Sequence, residues 1–160
     1  MSHSDHPANP APDIPGTQPK VEWQILHATT VVQNGQAALL FGPSGSGKSA
    51  LALEMLALGA GLISDDQTRL DLREGEVIAS KPDTLPPLIE ARGVGLLHVH
   101  LAAPAPVRFA VDLGEPEPER LPPYRSLSIL GCDIALLHKA ASGPFAAALM
   151  QYLSAGRSTP

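Results

Sequence analysis

Gly42-Pro43-Ser44-Gly45-Ser46-Gly47-Lys48-Ser49 fits the pattern G-x-x-x-x-G-K-[S/T]. Gly42, Gly45 and Gly47 let the backbone curl tightly enough to aim successive N–H groups at a phosphate. Lys48 supplies a mobile positive charge for β- and γ-phosphate oxygens, and the Ser49 hydroxyl suits a Mg²⁺ ligand. The flanks carry the rest of the reading. Gln36–Phe41 is an apolar run of strand length directly before the loop. Residues 49–58 are rich in helix formers and stop at Gly59, a fitting C-cap. Strand, glycine loop and helix in that order are what the motif requires; a merely flexible Gly/Ser loop would have no such flanks.

Composition bounds what the loop can belong to. A chain of 160 residues is one domain by length and large enough for a single core. It is 44% hydrophobic and 17% charged, and its net charge of −5 without any Lys/Arg run argues against a nucleic-acid surface. The one cysteine, Cys132, excludes an internal disulfide and a Cys-x-x-Cys knuckle, and its apolar surroundings predict a buried structural thiol. No apolar run is long enough to cross a bilayer and the N-terminus lacks a signal-like apolar core, so the expected location is the cytoplasm. Five of the 17 prolines fall within residues 1–20, and that polar stretch is expected to be a disordered tail. Its His3 and His6 make a weak ligand set. Residues 155–160 read as a second short tail, which leaves 21–154 as the domain.

Along that domain, 21–27 alternates partly and 28–33 is β-branched. Asn34-Gly35, a strong hairpin-turn signal, joins this strand to Gln36–Phe41. Residues 62–64 predict a short buried strand ending at Asp65-Asp66, and 68–72 and 76–79, flanking Arg73-Glu74-Gly75, predict a hairpin. A turn or short helix is expected over 88–91, strands over 95–101 and 107–113, and a stiff exposed proline-rich segment, unfit for a central strand, over 115–123. Residues 128–139 contain an apolar strand, and 143–155 form a closing helix. Strands outnumber helices about two to one, unlike a regular βαβ alternation.

Asp65 and Asp66 lie 17 and 18 residues after Lys48, at the carboxyl end of a strand, where the phosphate loop also lies in an open α/β sheet. Adjacent residues at a strand end point in opposite directions, so one carboxylate can face Mg²⁺ and the other an acceptor hydroxyl. An Asp-rich turn is the plainer alternative. His27 ends a strand beside the phosphate-loop strand, where packing is its default role. Glu90 and Arg92 form either a surface ion pair or, more sharply, a Mg²⁺ ligand and a phosphate clamp. His98 and His100 lack a third ligand at suitable spacing and read as core or hydrogen-bonded histidines. Arg120 is an exposed charge unless its loop folds over a nucleotide.

His27, the 42–49 loop, Leu62-Ile63-Ser64-Asp65-Asp66, Ile89-Glu90-Ala91-Arg92-Gly93-Val94-Gly95 and Glu119-Arg120-Leu121 follow in the order seen in HPr kinase/phosphorylase. The chain resembles the catalytic domain of that family, which phosphorylates a serine of the phosphocarrier protein HPr, over about residues 21–121. The resemblance implies a strand-rich α/β domain with few helices, of the P-loop kinase type shared by HPr kinase and phosphoenolpyruvate carboxykinase. It implies ATP and Mg²⁺ as cofactors, an HPr-type partner, and a homo-oligomer, a hexamer by family. It makes Asp66 the base toward the acceptor serine and places Ser49 and Glu90 on the metal. Lys48 falls on the phosphates, and His27 and Arg120 complete the catalytic group; the residue reading adds Asp65 to the metal set and Arg92 to the catalytic one. Two departures are visible: only the proline-rich tail precedes residue 21, and 129–133 lacks the basic residues the family links to dephosphorylation. The chain therefore resembles the short, stand-alone form, with kinase activity expected and the reverse reaction in doubt. A small-molecule kinase and a nucleotide-sensing module without transfer are the competing readings.

Overall fold

The computed structural model describes residues 22–158, so the proline-rich tail expected over 1–20 lies outside the described residues. The chain order is β1 (Trp23–Leu26), β2 (Ala28–Gln33), β3 (Gln36–Phe41), α1 (Lys48–Ala57), β4 (Gly61–Ser64), β5 (Thr68–Arg73), β6 (Glu76–Ser80), β7 (Leu88–Ala91), β8 (Gly95–His98), β9 (Ala105–Glu117), β10 (Arg125–Ile129), β11 (Cys132–Ala140) and α2 (Phe145–Ala155). Two helices among eleven strands, in the described residues, give the strand-rich α/β fold that the sequence predicts.

Nine strands form one sheet, ordered β1-β5-β6-β9-β3-β2-β4, with β11 also on β9 and β10 on β11. The long β9 is its spine. Its first residues pair antiparallel with β6, its middle pairs parallel with β3 and its later part pairs parallel with β11. The parallel β3–β9–β11 centre is buried on both faces, as such sheets require. Ala38 and Leu40 of β3 enter a core with Leu51, Ala52 and Met55 of α1 and Leu149, Met150 and Leu153 of α2. Ala37 and Leu39 point the other way, into a second core with Ile63, Leu70, Val77 and Ile134. Each fully buried Leu or Met here stabilises the fold by about 2 kcal/mol.

Three two-residue hairpins set the register. Asn34-Gly35, Glu74-Gly75 and Leu130-Gly131 have φ of 52° and 69°, 50° and 79°, and 51° and 80°, the positive pair of a type I′ turn. Asn-Gly announced the first of these. Leu130-Gly131 did not: the stretch 128–139, expected to contain an apolar strand, holds most of β11 and also the end of β10, which that turn joins to it.

Three further expectations are corrected. Residues 88–91 are strand β7, not a turn or helix, because β8 offers a pairing edge and Ile89 is buried in the core that α1 and α2 line. The strand expected over 95–101 stops at His98, and His98 and His100 are exposed rather than core residues. Residues 115–117 continue the central β9. Past Asp112 that strand has lost β3 and pairs with β11 alone, through a register shift at His138/Lys139, so Pro116 sits where the proline restriction on central strands no longer applies. Cys132 is half-buried, its Sγ 3.5 Å from the Gly75 carbonyl.

Candidate active site

The phosphate loop leaves β3 at Phe41 and enters α1 at Lys48, with Gly42, Gly45 and Gly47 at φ of 146°, 80° and 99°. Only Gly42 is also confined by its neighbours: a Cβ there would lie 2.8 Å from Ser46 Oγ and 3.1 Å from the Gly114 nitrogen. The loop thus packs against β9, where Asp112 lies opposite Phe41 and accepts a hydrogen bond from the Gly114 N–H at 2.9 Å. Lys48 is buried, and its Nζ donates to the carbonyls of Gly42 at 2.9 Å and Pro43 at 3.4 Å. Lys139 Nζ, from β11, reaches the Ser46 carbonyl at 3.4 Å.

Two observations fit this loop to a triphosphate. Helix α1 has no side-chain cap and no acidic residue in its first turn, so its N–H groups and positive dipole end face the loop unopposed. Ser46 Oγ, buried inside the loop, has no hydrogen-bond partner among the described residues.

Strand β4 delivers the two aspartates to the same end of the sheet, because β4 and β3 are both antiparallel to β2. They do different things. Asp65 turns inward: its Oδ1 accepts from Ser49 Oγ and from Thr29 Oγ1, both at 2.8 Å, and its Oδ2 accepts from the Glu90 N–H at 3.1 Å. It joins α1, β2 and β7 at one carboxylate. Asp66 turns outward, with its Oδ1 3.2 Å from His27 Nε2. Both side chains of that pair are more than half exposed, at 55% and 65%, so solvent and an incoming molecule can reach them.

Among the described residues no three His, Cys, Asp or Glu side chains are gathered for a metal ion. Ser49 Oγ and Asp65 Oδ1, together with the carboxyl of Glu90, whose backbone N–H is bonded to Asp65, have the chemistry of a Mg²⁺ site, which takes few protein ligands and keeps its remaining contacts for water and phosphate.

The region from β1 to Ala102 matches the family model described as HPr Serine kinase C-terminal domain, over residues 21–102. The chain belongs to that family. An HPr kinase/phosphorylase from Clostridium botulinum (strain Eklund 17B / Type B) is 38% identical over 74 residues, 46% of this chain and 24% of that one. The one from Bordetella pertussis (strain Tohama I) is 44% identical over 75 residues, with the same shares. The match spans about a quarter of the length of these curated relatives. The Hpr(Ser) kinase/phosphatase structure from Coxiella burnetii superposes with a TM-score of 0.68 at 24% identity, over 82% of this chain and 88% of that chain, and shows the shared fold.

For a member of the HPr serine kinase C-terminal domain family, the sequence-predicted residues divide into two sets. His27, Ser49, Asp65, Asp66 and Glu90 are joined by the contacts above, with Lys48 in the adjoining loop. Arg92, in the β7–β8 turn, and Arg120, in the exposed segment after β9, make no hydrogen bond or ion pair to this group. Sequence reasoning missed Thr29, Gly114 and Lys139. Thr29 had been absorbed into a β-branched strand pattern, and nothing in the linear sequence shows that β2 places it against Asp65.

Proposed function

We propose that the chain is a Mg-ATP-dependent protein-serine kinase acting on an HPr-type phosphocarrier. One observation carries the reading: His27 and Asp66 form an accessible pair on the turn whose other aspartate is bonded to Ser49 of the phosphate loop. An acceptor hydroxyl at Asp66 would thus lie beside nucleotide phosphates held by Gly42 to Ser49.

In this reading the acceptor serine gives its proton to an Asp66 carboxylate oxygen as its own oxygen bonds the γ-phosphorus. The bond from that phosphorus to the β,γ-bridging oxygen breaks, and ADP leaves. His27, 3.2 Å from Asp66 Oδ1, holds the base in place. Lys48 moves from the Gly42 and Pro43 carbonyls to the phosphate oxygens, an exchange of one set of oxygen partners for another. Arg92 and Arg120 bring positive charge to the transferring group. Ser49, Asp65 and Glu90 would hold the Mg²⁺, which when bound neutralises charge on the β- and γ-oxygens.

The proposal covers the forward transfer. The Leu130-Gly131 turn is a tight two-residue hairpin without a basic side chain, and the reverse reaction is not part of the proposal. The proposed setting is a cytoplasmic homo-oligomer regulating phosphotransferase-system signalling and carbohydrate metabolism. No helix among the described residues is long and apolar enough to cross a membrane.

The test is transfer of labelled phosphate from Mg-ATP to a purified HPr-type phosphocarrier, wild type beside Asp66→Asn. Acid-stable phosphoserine is expected from wild type, with a loss of about 10³ to 10⁴ in kcat and retained ATP binding in the variant. Equal transfer by both proteins would remove Asp66 from its role. Transfer by neither, with ATP bound, would replace the kinase by a nucleotide-sensing module.

A further inference from the structure

The residue that ties the two aspartates of the turn together lies on another strand, β2. Gln67 N–H donates to the Asp65 carbonyl at 2.8 Å, an i to i+2 bond, and Asp66 between them has φ of 67°. That is a γ-turn of the positive-φ hand, rare and strained for a residue with a side chain. The strain stands at the one residue proposed to take a proton. Something must hold it there, since an Asp released from the left-handed region would swing its carboxylate elsewhere.

Thr29 is placed to do that. It is fully buried on β2, two residues after His27, and its hydroxyl works in both directions. It donates to Asp65 Oδ1 at 2.8 Å and accepts from the Asp66 N–H at 3.3 Å. Ser64 Oγ braces the far side of the turn by donating to the Gln67 carbonyl at 2.5 Å. A hydroxyl accepts and donates through a single oxygen, as this position requires. A valine of the same shape could do neither.

We infer that Thr29 is a positioning residue for the phosphoryl-transfer site: one hydroxyl pins the strained backbone at Asp66 and orients the Asp65 carboxylate toward Ser49. This rests on the kinase reading for its catalytic consequence, but its structural half does not.

Two measurements on Thr29→Val and Thr29→Ser separate these halves. In amide hydrogen exchange followed by NMR, Thr29→Val is expected to speed exchange at Asp66 and Gln67 by about tenfold, and Thr29→Ser to stay close to wild type. In the transfer assay, Thr29→Val is expected to lower kcat by about 10- to 100-fold with KM for ATP within about twofold, and Thr29→Ser to restore most of the rate. A role in packing alone would leave Ser, which lacks the buried methyl, worse than Val. Unchanged exchange in Thr29→Val, or wild-type kcat in it, overturns the inference. If the wild-type protein transfers no phosphate, the kinase reading fails by itself and the exchange data still decide whether Thr29 holds the turn. Should Thr29→Val melt below the assay temperature, Thr29→Ala removes the same hydroxyl without introducing a larger side chain.

Discussion

The turn after β4 and the loop over 118–124 both spring from the end of the sheet that carries the phosphate loop, and they hold their candidate site residues in opposite ways. In the turn, Asp65, Asp66 and Gln67 are bonded to Thr29, Ser49, Ser64, His27 and the Glu90 backbone. In the loop the base is closed by the Glu117–Arg125 ion pair and Arg157 donates to the Pro122 carbonyl, yet Arg120 itself stands in solvent beside an 81% exposed Leu121. The roles proposed above account for the contrast. Proton transfer works only over hydrogen-bond distance, so a base must be fixed to a fraction of an ångström. A guanidinium stabilising charge acts through a potential that falls only as the inverse of distance, and it can approach with the nucleotide.

The strongest way to break the comparison is to disturb the bonded side. Asp65→Asn puts an amide where three donors converge, from Ser49, Thr29 and Glu90. It is expected to lower kcat by about 10³-fold and to destabilise the fold by about 1 to 3 kcal/mol through donors left unpaired. Transfer kinetics beside thermal melting check both. Full stability with lost activity would mean the Asp65 bonds are not what holds the turn.

Arg120→Ala should separate the same two quantities. A loss of about 10²-fold in kcat is expected, with stability within about 0.5 kcal/mol because the side chain makes no bond among the described residues. Arg120→Lys should recover to within about tenfold, since a point charge replaces much of the field though not the fork. A melting shift as large as that of Asp65→Asn would show that Arg120 is structurally held and would collapse the distinction.

The same divide governs what the sequence could reveal. The phosphate loop, its flanking strand and helix, the Asn34-Gly35 hairpin and the two aspartates were legible because each is a local pattern with a local physical cause. Leu88–Ala91 was not, because a four-residue segment becomes a strand only when β8 returns to pair with it. Glu115 to Glu117 read as exposed because prolines surround it, and only the loss of β3 as a neighbour makes a strand there tolerable. Leu130 gave no turn signal, since a leucine at φ of 51° is held by the β10–β11 register rather than by its own preference. Thr29 was hidden for the deepest reason: its two partners lie 36 and 37 residues away, and a threonine on a buried strand looks like any β-branched packing residue.

The smallest expected effect concerns the base of the 118–124 loop. Glu117 is buried, and the Arg125 guanidinium bonded to both its oxygens holds its carboxyl below the ordinary glutamate value of 4.5; burial opposes that shift, while the Glu119 N–H and the nearby His138 reinforce it. A carboxyl depressed in the folded state stabilises the protein above its unfolded value, and that contribution fades as pH falls through the folded one. Melting temperature should therefore decline as pH drops below 4.5, and Glu117→Gln should flatten that part of the profile while lowering the plateau at neutral pH. Because the pair closes the loop without touching Arg120, Glu117→Gln should also reduce kcat at neutral pH by no more than about threefold, near the level of one weakened surface-loop contact. A drop as large as that of Arg120→Ala would show that the ion pair fixes the arginine as tightly as Thr29 fixes Asp66.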